Sequence, residues 1–291
     1  MIYNHKLIND LAWAIGSPSL LDKTPFQNQQ LLTTEWGQNQ LADSKLLLAD
    51  QDKSPQHIQG YLSEKPRFRL GYYFEDLIAY WLTINPRYEI LYKNLTISEN
   101  KITLGEIDFI IRDLIEKKTI HLEVAVKFYL RTDHNNKSYW FGPNLRDRLD
   151  LKLEKTFKKQ ISFSETELVK TTLLEKQITI DEHHVLLKGR LFNHSVNVTG
   201  DLCWLTESEF KTVNDNAKWI ILNKTHWLSE INNIDYNFLA SEVMTQSDVS
   251  DLLSSEKLML PICLARIEND NETNRIFITS DSWRADAIAT L

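Results

Sequence analysis

The sequence predicts an α/β fold on three observations: helical periodicity up to about residue 82, three strands in quick succession between residues 89 and 130, and a strand-rich final third. Two of the middle strands carry acids where a core is expected to be apolar. They read Gly105-Glu106-Ile107-Asp108-Phe109 and His121-Leu122-Glu123-Val124-Ala125-Val126-Lys127.

The elements follow in order. Residues 1 to about 65 form a helical extension, with Ile8, Leu11, Ala12 and Ile15 at helical spacing and a second run over 41–48. Ser54-Pro55 is an N-cap and first-turn pair for a third helix. A longer helix is predicted from Phe68 to residue 82, with Leu70, Phe74, Leu77 and Trp81 as its stripe and Asn85-Pro86 as its stop. Strands over 89–95, 101–112 and 119–130 follow as a meander. Gly142-Pro143-Asn144 is a turn into a helix over 145–160, with Asn144 as its N-cap and Asp147 in its first turn. On that helix Arg148, Lys152, Lys155 and Lys159 make a basic stripe, while Leu149, Leu153 and Phe157 make an apolar one that Gln160 joins. Beyond residue 183 the pattern gives strands over 184–192, 201–205, 219–222, 260–267 and 275–279.

Composition narrows the class. The 291 residues have ordinary apolar and charged fractions, no internal repeat and no Gly/Ser-rich linker. No apolar run reaches the roughly 18 residues of a membrane span, and the start lacks the pattern of a signal peptide, so a cytoplasmic protein without a membrane partner is expected. Cys203 and Cys263 are isolated and are expected as buried thiols. A net charge of -7 argues against non-specific coating of nucleic acid, while leaving room for a local basic groove.

The acidic strands carry the chemistry. Alternate residues of a strand share a face, so Glu106 and Asp108 point one way, and His121, Glu123, Ala125 and Lys127 share a face of the next strand. Carboxylates on neighbouring strands suit a hard divalent cation, which takes oxygen ligands and keeps water for substrate. Lys127 is the nearby candidate cation for the water, although four residues along a strand span about 13 Å. Glu75 lies one turn after Gly71 on the preceding helix and offers a third carboxylate, with Gly71 leaving room for close approach. Glu106 and His121 are expected in supporting roles. His183 and His184 are adjacent and should diverge, and Trp204, Trp219 and Trp227 are expected as core or interface aromatics.

These residues carry a resemblance. Gly71-x3-Glu75, Gly105-Glu106-Ile107-Asp108 and Glu123 resemble the PD-(D/E)XK nuclease superfamily over about residues 68–160. GEIDF, HLEVAVKFYL and GPNLRDRLDLKL resemble, over most of the chain, an uncharacterised bacterial domain-of-unknown-function family assigned to that superfamily. The resemblance implies a restriction-endonuclease-like core over 66–180, between a helical extension (1–65) and a β-rich region (181–291). It implies hydrolysis of nucleic-acid phosphodiesters, DNA more than RNA, with magnesium or manganese. Asp108 and Glu123 would be the catalytic and metal-binding acids, Glu75 and the carbonyl of Val124 further ligands, and Lys127 the catalytic lysine. Arg148, Lys152, Lys155, Lys159 and Gln160 would meet the nucleic acid. One departure stands out: the superfamily pattern has lysine two residues after the second acid, where this chain has Ala125. The alternative is a nuclease-like fold without chemistry, acting as a nucleic-acid or protein-binding module.

Overall fold

Helical periodicity near the N-terminus becomes α1 (Lys6–Gly16), which buries Ile8, Leu11, Ala12 and Ile15 as its spacing predicts. The computed structural model describes residues 2–21, 23, 30–63, 69–255 and 258–291. A short strand β1 (Gln30–Leu31) precedes α2 (Thr34–Asp43), α3 (Lys45–Lys53) and α4 (Gln56–Ser63). The apolar run over 41–48 is split between two helices at Ser44, whose hydroxyl accepts the Trp81 indole N–H at 3.0 Å. α4 starts directly after Ser54-Pro55, as expected. Phe68, the predicted start of the next helix, lies outside the described residues; α5 is Leu70–Ile84 and ends before Pro86.

The meander forms as β2 (Tyr88–Glu99), β3 (Ile102–Asp113) and β4 (Lys118–His134), with β2 and β4 longer than predicted and β3 shifted by one residue. β5 (Lys137–Phe141), which hydrophobic patterning did not reveal, pairs back on β4 through Asn135 and Asn136, both at left-handed φ. The helix predicted over 145–160 begins only at Leu149. Leu145 adopts φ 60° and Gly142 N–H donates to the Asp147 carbonyl, so 142–147 is a turn and Arg148 bridges to Phe141. α6 (Leu149–Lys155) then runs into a π turn, Thr156–Gln160. α7 (Glu167–Glu175) precedes β6 (Glu182–His194) and β7 (Cys203–Thr206). α8 (Glu207–Phe210), β8 (Lys218–Leu222), α9 (Asn233–Leu239), β9 (Val243–Met244), α10 (Gln246–Ser255), β10 (Ile262–Glu268), β11 (Asn271–Thr279) and α11 (Trp283–Ala289) complete the chain.

The elements make a mixed α/β protein of two compact units that interleave along the sequence. One comprises residues 7–126 and 152–189, the other 1–6, 127–151 and 190–291. The first unit has the strand order β2-β3-β4-β6, with β1 parallel to the start of β6. α7 covers this sheet, joining Val169 and Leu173 to Ile97, Ile107 and Ile110. In the second unit β7 pairs in parallel with β6 and β11, and β11, β10, β8 and β9 follow antiparallel. Its core gathers Cys203, Leu205, Phe210, Trp219, Val249, Leu253, Leu264, Ile276 and Ile278. Trp204, Trp219 and Trp227 are buried, as are both cysteines. No helix of the described residues is long and apolar enough to cross a membrane.

Candidate functional site

β3 and β4 pair from Asp113–Lys118 down to Phe109–Leu122. One residue further, side chains replace the backbone ladder. Asp108 Oδ2 accepts the Val124 N–H at 3.0 Å, and Glu123 Oε1 accepts the Asp108 N–H at 3.4 Å. The two acids thus sit where the strands separate, each taking a backbone donor of the opposite strand. Buried backbone N–H groups require partners. Beside them on β2, between the pairs Lys93–Phe109 and Leu95–Ile107, Asn94 takes a left-handed φ of 53°, a conformation that Asn tolerates better than most residues.

Glu123 is only 2% exposed. Its Oε1 also faces His121 Nε2 at 3.0 Å, and its Oε2 accepts the Gln160 side-chain N–H at 2.8 Å. His121 is fully enclosed, and burial pushes its pKa down to about 4, so the ring is neutral near pH 7. A neutral ring facing a carboxylate donates from Nε2, leaving Nδ1 to accept the Ser164 hydroxyl at 2.7 Å. Ser164 Oγ in turn meets His183 Nε2 at 3.0 Å, while His184 turns to Glu182, so the adjacent histidines diverge as predicted.

The electrostatics are those of acids short of positive charge. Burial, then repulsion from Glu123, raises Asp108 to about 7, against the Val124 N–H and Lys152. Burial likewise raises Glu123 to about 7, against the Asp108 N–H and Lys152. Two carboxylates so placed share a proton near neutrality rather than both ionising. Glu75 on α5 is raised to about 7 by burial and then by Asp108, with Lys93 opposing. Lys93 is itself drawn to Asp76 at 2.5 Å. Glu106 is exposed and bonded to Thr96 at 3.2 Å.

The cation acting on both acids is Lys152, which the sequence placed among the residues that meet nucleic acid. Its Nζ donates to Gln160 Oε1 at 2.9 Å, and Thr156 Oγ1 donates to the same oxygen at 3.1 Å. A π turn closes i to i+5 bonds, here Ile161 N–H to Thr156 O at 3.0 Å, and so turns less per residue than an α-helix. That keeps Gln160 in line with Lys152 and Thr156. Lys127 belongs to the other unit, where it is ion-paired with Asp147.

The four predicted basic residues do not form one helical stripe. Arg148 precedes α6, pairs with Asp150 at 2.6 Å and lies 5.8 Å from the centre of the Tyr139 ring. Lys155 and Lys159 are exposed. Among the described residues nothing lies within 4 Å of a Cβ placed on Gly71, so no close approach is made there; at Gly105 one is, because a Cβ there would stand 2.7 Å from the Phe163 ring. The TFKKQ segment carried no periodic signal for its π turn, and Lys152 could be told from its basic neighbours only by its i+8 relation to Gln160.

Among the described residues no group of three or more His, Cys, Asp or Glu side chains is arranged as a metal-binding set. Asp108 and Glu123 nonetheless supply hard oxygen donors and excess negative charge, which fits a magnesium- or manganese-type ion held by one or two carboxylates plus water and substrate.

Neither the curated proteins nor the solved structures contain a match to the chain. The family described as a domain of unknown function, DUF1853, matches residues 9–279, and the chain belongs to that family.

Proposed function

We propose that this protein is a divalent-metal-dependent nuclease with a restriction-endonuclease-like core, its site centred on Asp108 and Glu123. The observation that supports this best is the acid pair at the parting of β3 and β4, Glu123 buried and Asp108 half-buried, raised to about 7 by burial and, at Asp108, by the charge of Glu123. The helix, meander and helix of α5, β2–β4 and α6 follow the order that the superfamily resemblance implies. Magnesium or manganese at the pair would supply Lewis-acid charge for a phosphodiester.

The chain's own residues perform the rest. Asp108 and Glu123 would hold the metal with Glu75 alongside, and the Val124 carbonyl, on the strand of Glu123, would offer a further oxygen. His121 and Gln160 fix the two oxygens of Glu123. Lys152 supplies the cation beside the acids. Lys155 and Lys159 meet the backbone of the nucleic acid, DNA in preference to RNA.

Purified protein is expected to cleave DNA with magnesium or manganese, and Asp108→Ala is expected to reduce cleavage to background. Unchanged cleavage by that variant sinks the reading. A second reading, a binding module without chemistry, is favoured by Ala125 at the lysine position. It predicts DNA retention with no cleavage under any divalent cation.

A further inference from the structure

On the opposite face of β4 from the acids, Ile120 and Leu122 line a cavity of about 300 Å³. Trp36, Trp81 and Tyr88 form its aromatic wall. The wall is built and held: Trp81 meets Trp36 edge-on at 6.1 Å and Tyr88 at 5.4 Å. The Trp81 indole N–H is taken by Ser44 and the Tyr88 hydroxyl donates to Gln40 at 3.1 Å. Trp36 is fixed at the start of α2, where Thr33 caps its backbone N–H at 3.1 Å.

The polar part of the lining alternates donors and acceptors. Arg87 donates from Nε and Nη2 to Asp113 Oδ2 at 2.8 and 2.6 Å. Glu182 is ion-paired with Lys118 and faces His184 Nε2 at 2.9 Å. Both acids are held below the usual carboxylate range: Asp113 by Arg87 and two backbone N–H groups against its burial, Glu182 first by Lys118. They are ionised acceptors at neutral pH beside permanent donors. Arg87 and Lys118 stand against Asp113, Glu116 and Glu182 in the lining, so the site does not call for an anionic ligand.

A small-molecule pocket is mostly apolar and aromatic, with a few polar groups that orient the ligand, and 300 Å³ is at the small end of that range. We infer that this cavity binds a nucleobase or nucleoside, its ring against Trp36 and its alternating ring-edge donors and acceptors against Glu182 and Arg87. A planar, uncharged nitrogen heterocycle satisfies both the aromatic wall and the paired polar edge; a sugar lacks the ring face and an aliphatic ligand lacks the polar edge.

The test titrates the full chain with adenosine, guanosine, cytidine and uridine by calorimetry, with ribose as the ring-free control. At least one nucleoside is expected to bind with submillimolar affinity while ribose does not. Trp36→Leu, which keeps apolar bulk without the ring, should weaken binding by about tenfold or more, and Trp36→Phe should restore most of it. Glu182→Gln should change the order of preference among the four bases. Asp108→Ala should bind as the parent does, so this result and the nuclease reading stand or fall separately. No saturable nucleoside binding in the millimolar range, equal binding of ribose, or an unchanged affinity in a folded Trp36→Leu protein overturns the inference.

Discussion

Enclosed carboxylates meet two opposite treatments, one at Glu272 and Asp215 of the second unit and the other at Asp108 and Glu123 of the first, whose Asp113, gripped by Arg87, follows the second unit's pattern. In the second unit Arg275 and Glu272, 1% and 2% exposed, are joined by bonds of 2.7 Å from Nε to Oε1 and from Nη2 to Oε2. Arg275 also donates to the carbonyls of Trp227 and Ser229. Nearby in sequence, Arg266 grips Asp215 through Nε at 2.6 Å and Nη2 at 2.9 Å, and that grip holds Asp215 well below the usual carboxylate range. In the first unit Asp108 and Glu123 have, among the described residues, amide, imidazole and backbone partners but no arginine, and they are pushed up to about 7. Burial works in the same direction on Asp215, Asp108 and Glu123. The difference lies in whether a guanidinium answers it, and an unanswered buried acid is a functional candidate where an answered one is a structural part.

The largest expected effect breaks the closed side. Arg275→Met leaves Glu272 buried without its cation and should cost about 3–5 kcal/mol of stability in denaturant unfolding. A loss below 1 kcal/mol would mean that the contrast between the units is only apparent.

The open side should respond to pH with the opposite sign. Glu123 titrates near 7 when folded and near 4.5 when unfolded. Between those values the folded state binds more protons, so stability from this group is present below about pH 4.5 and is lost as pH rises through 7. Glu123→Gln should therefore flatten the fall in thermal midpoint over that window and abolish any stabilisation by added magnesium above pH 7. A parent protein whose midpoint is level from pH 5 to 8 would contradict this.

A smaller effect sharpens the comparison. Lys152 lowers both acids, so Lys152→Met should move the pH transition upward, whereas Lys127→Met should leave it in place. The reverse outcome would make Lys127, not Lys152, the cation of the pair.

Much of this open side was legible in the sequence, because strand alternation fixes which residues share a face. Asp108 and Glu123 follow from Gly105–Phe109 and His121–Lys127 read as strands, and Glu75 from its place on α5. What patterning misses is set by non-local or irregular geometry. Leu145 in a left-handed turn delays α6, which removes Arg148 from the helix and with it the single basic stripe. The parallel pairing of β7 with β11 joins residues far apart in sequence. Three short helices of the β-rich region did leave a signal: Thr206 with Glu209, Asn232 with Asp235 and Thr245 with Asp248 are reciprocal caps at the starts of α8, α9 and α10.

The π turn at Thr156–Gln160 makes the spacing of this segment as important as its composition. Removing one residue from it would convert it to an ordinary α-helical turn and rotate everything downstream by about 100°. Gln160 would leave Glu123, Phe163 would leave the flat floor that Gly105 provides, and Ser164 would leave His121. A single-codon deletion there would thus act as three substitutions at once while changing none of the residues it displaces.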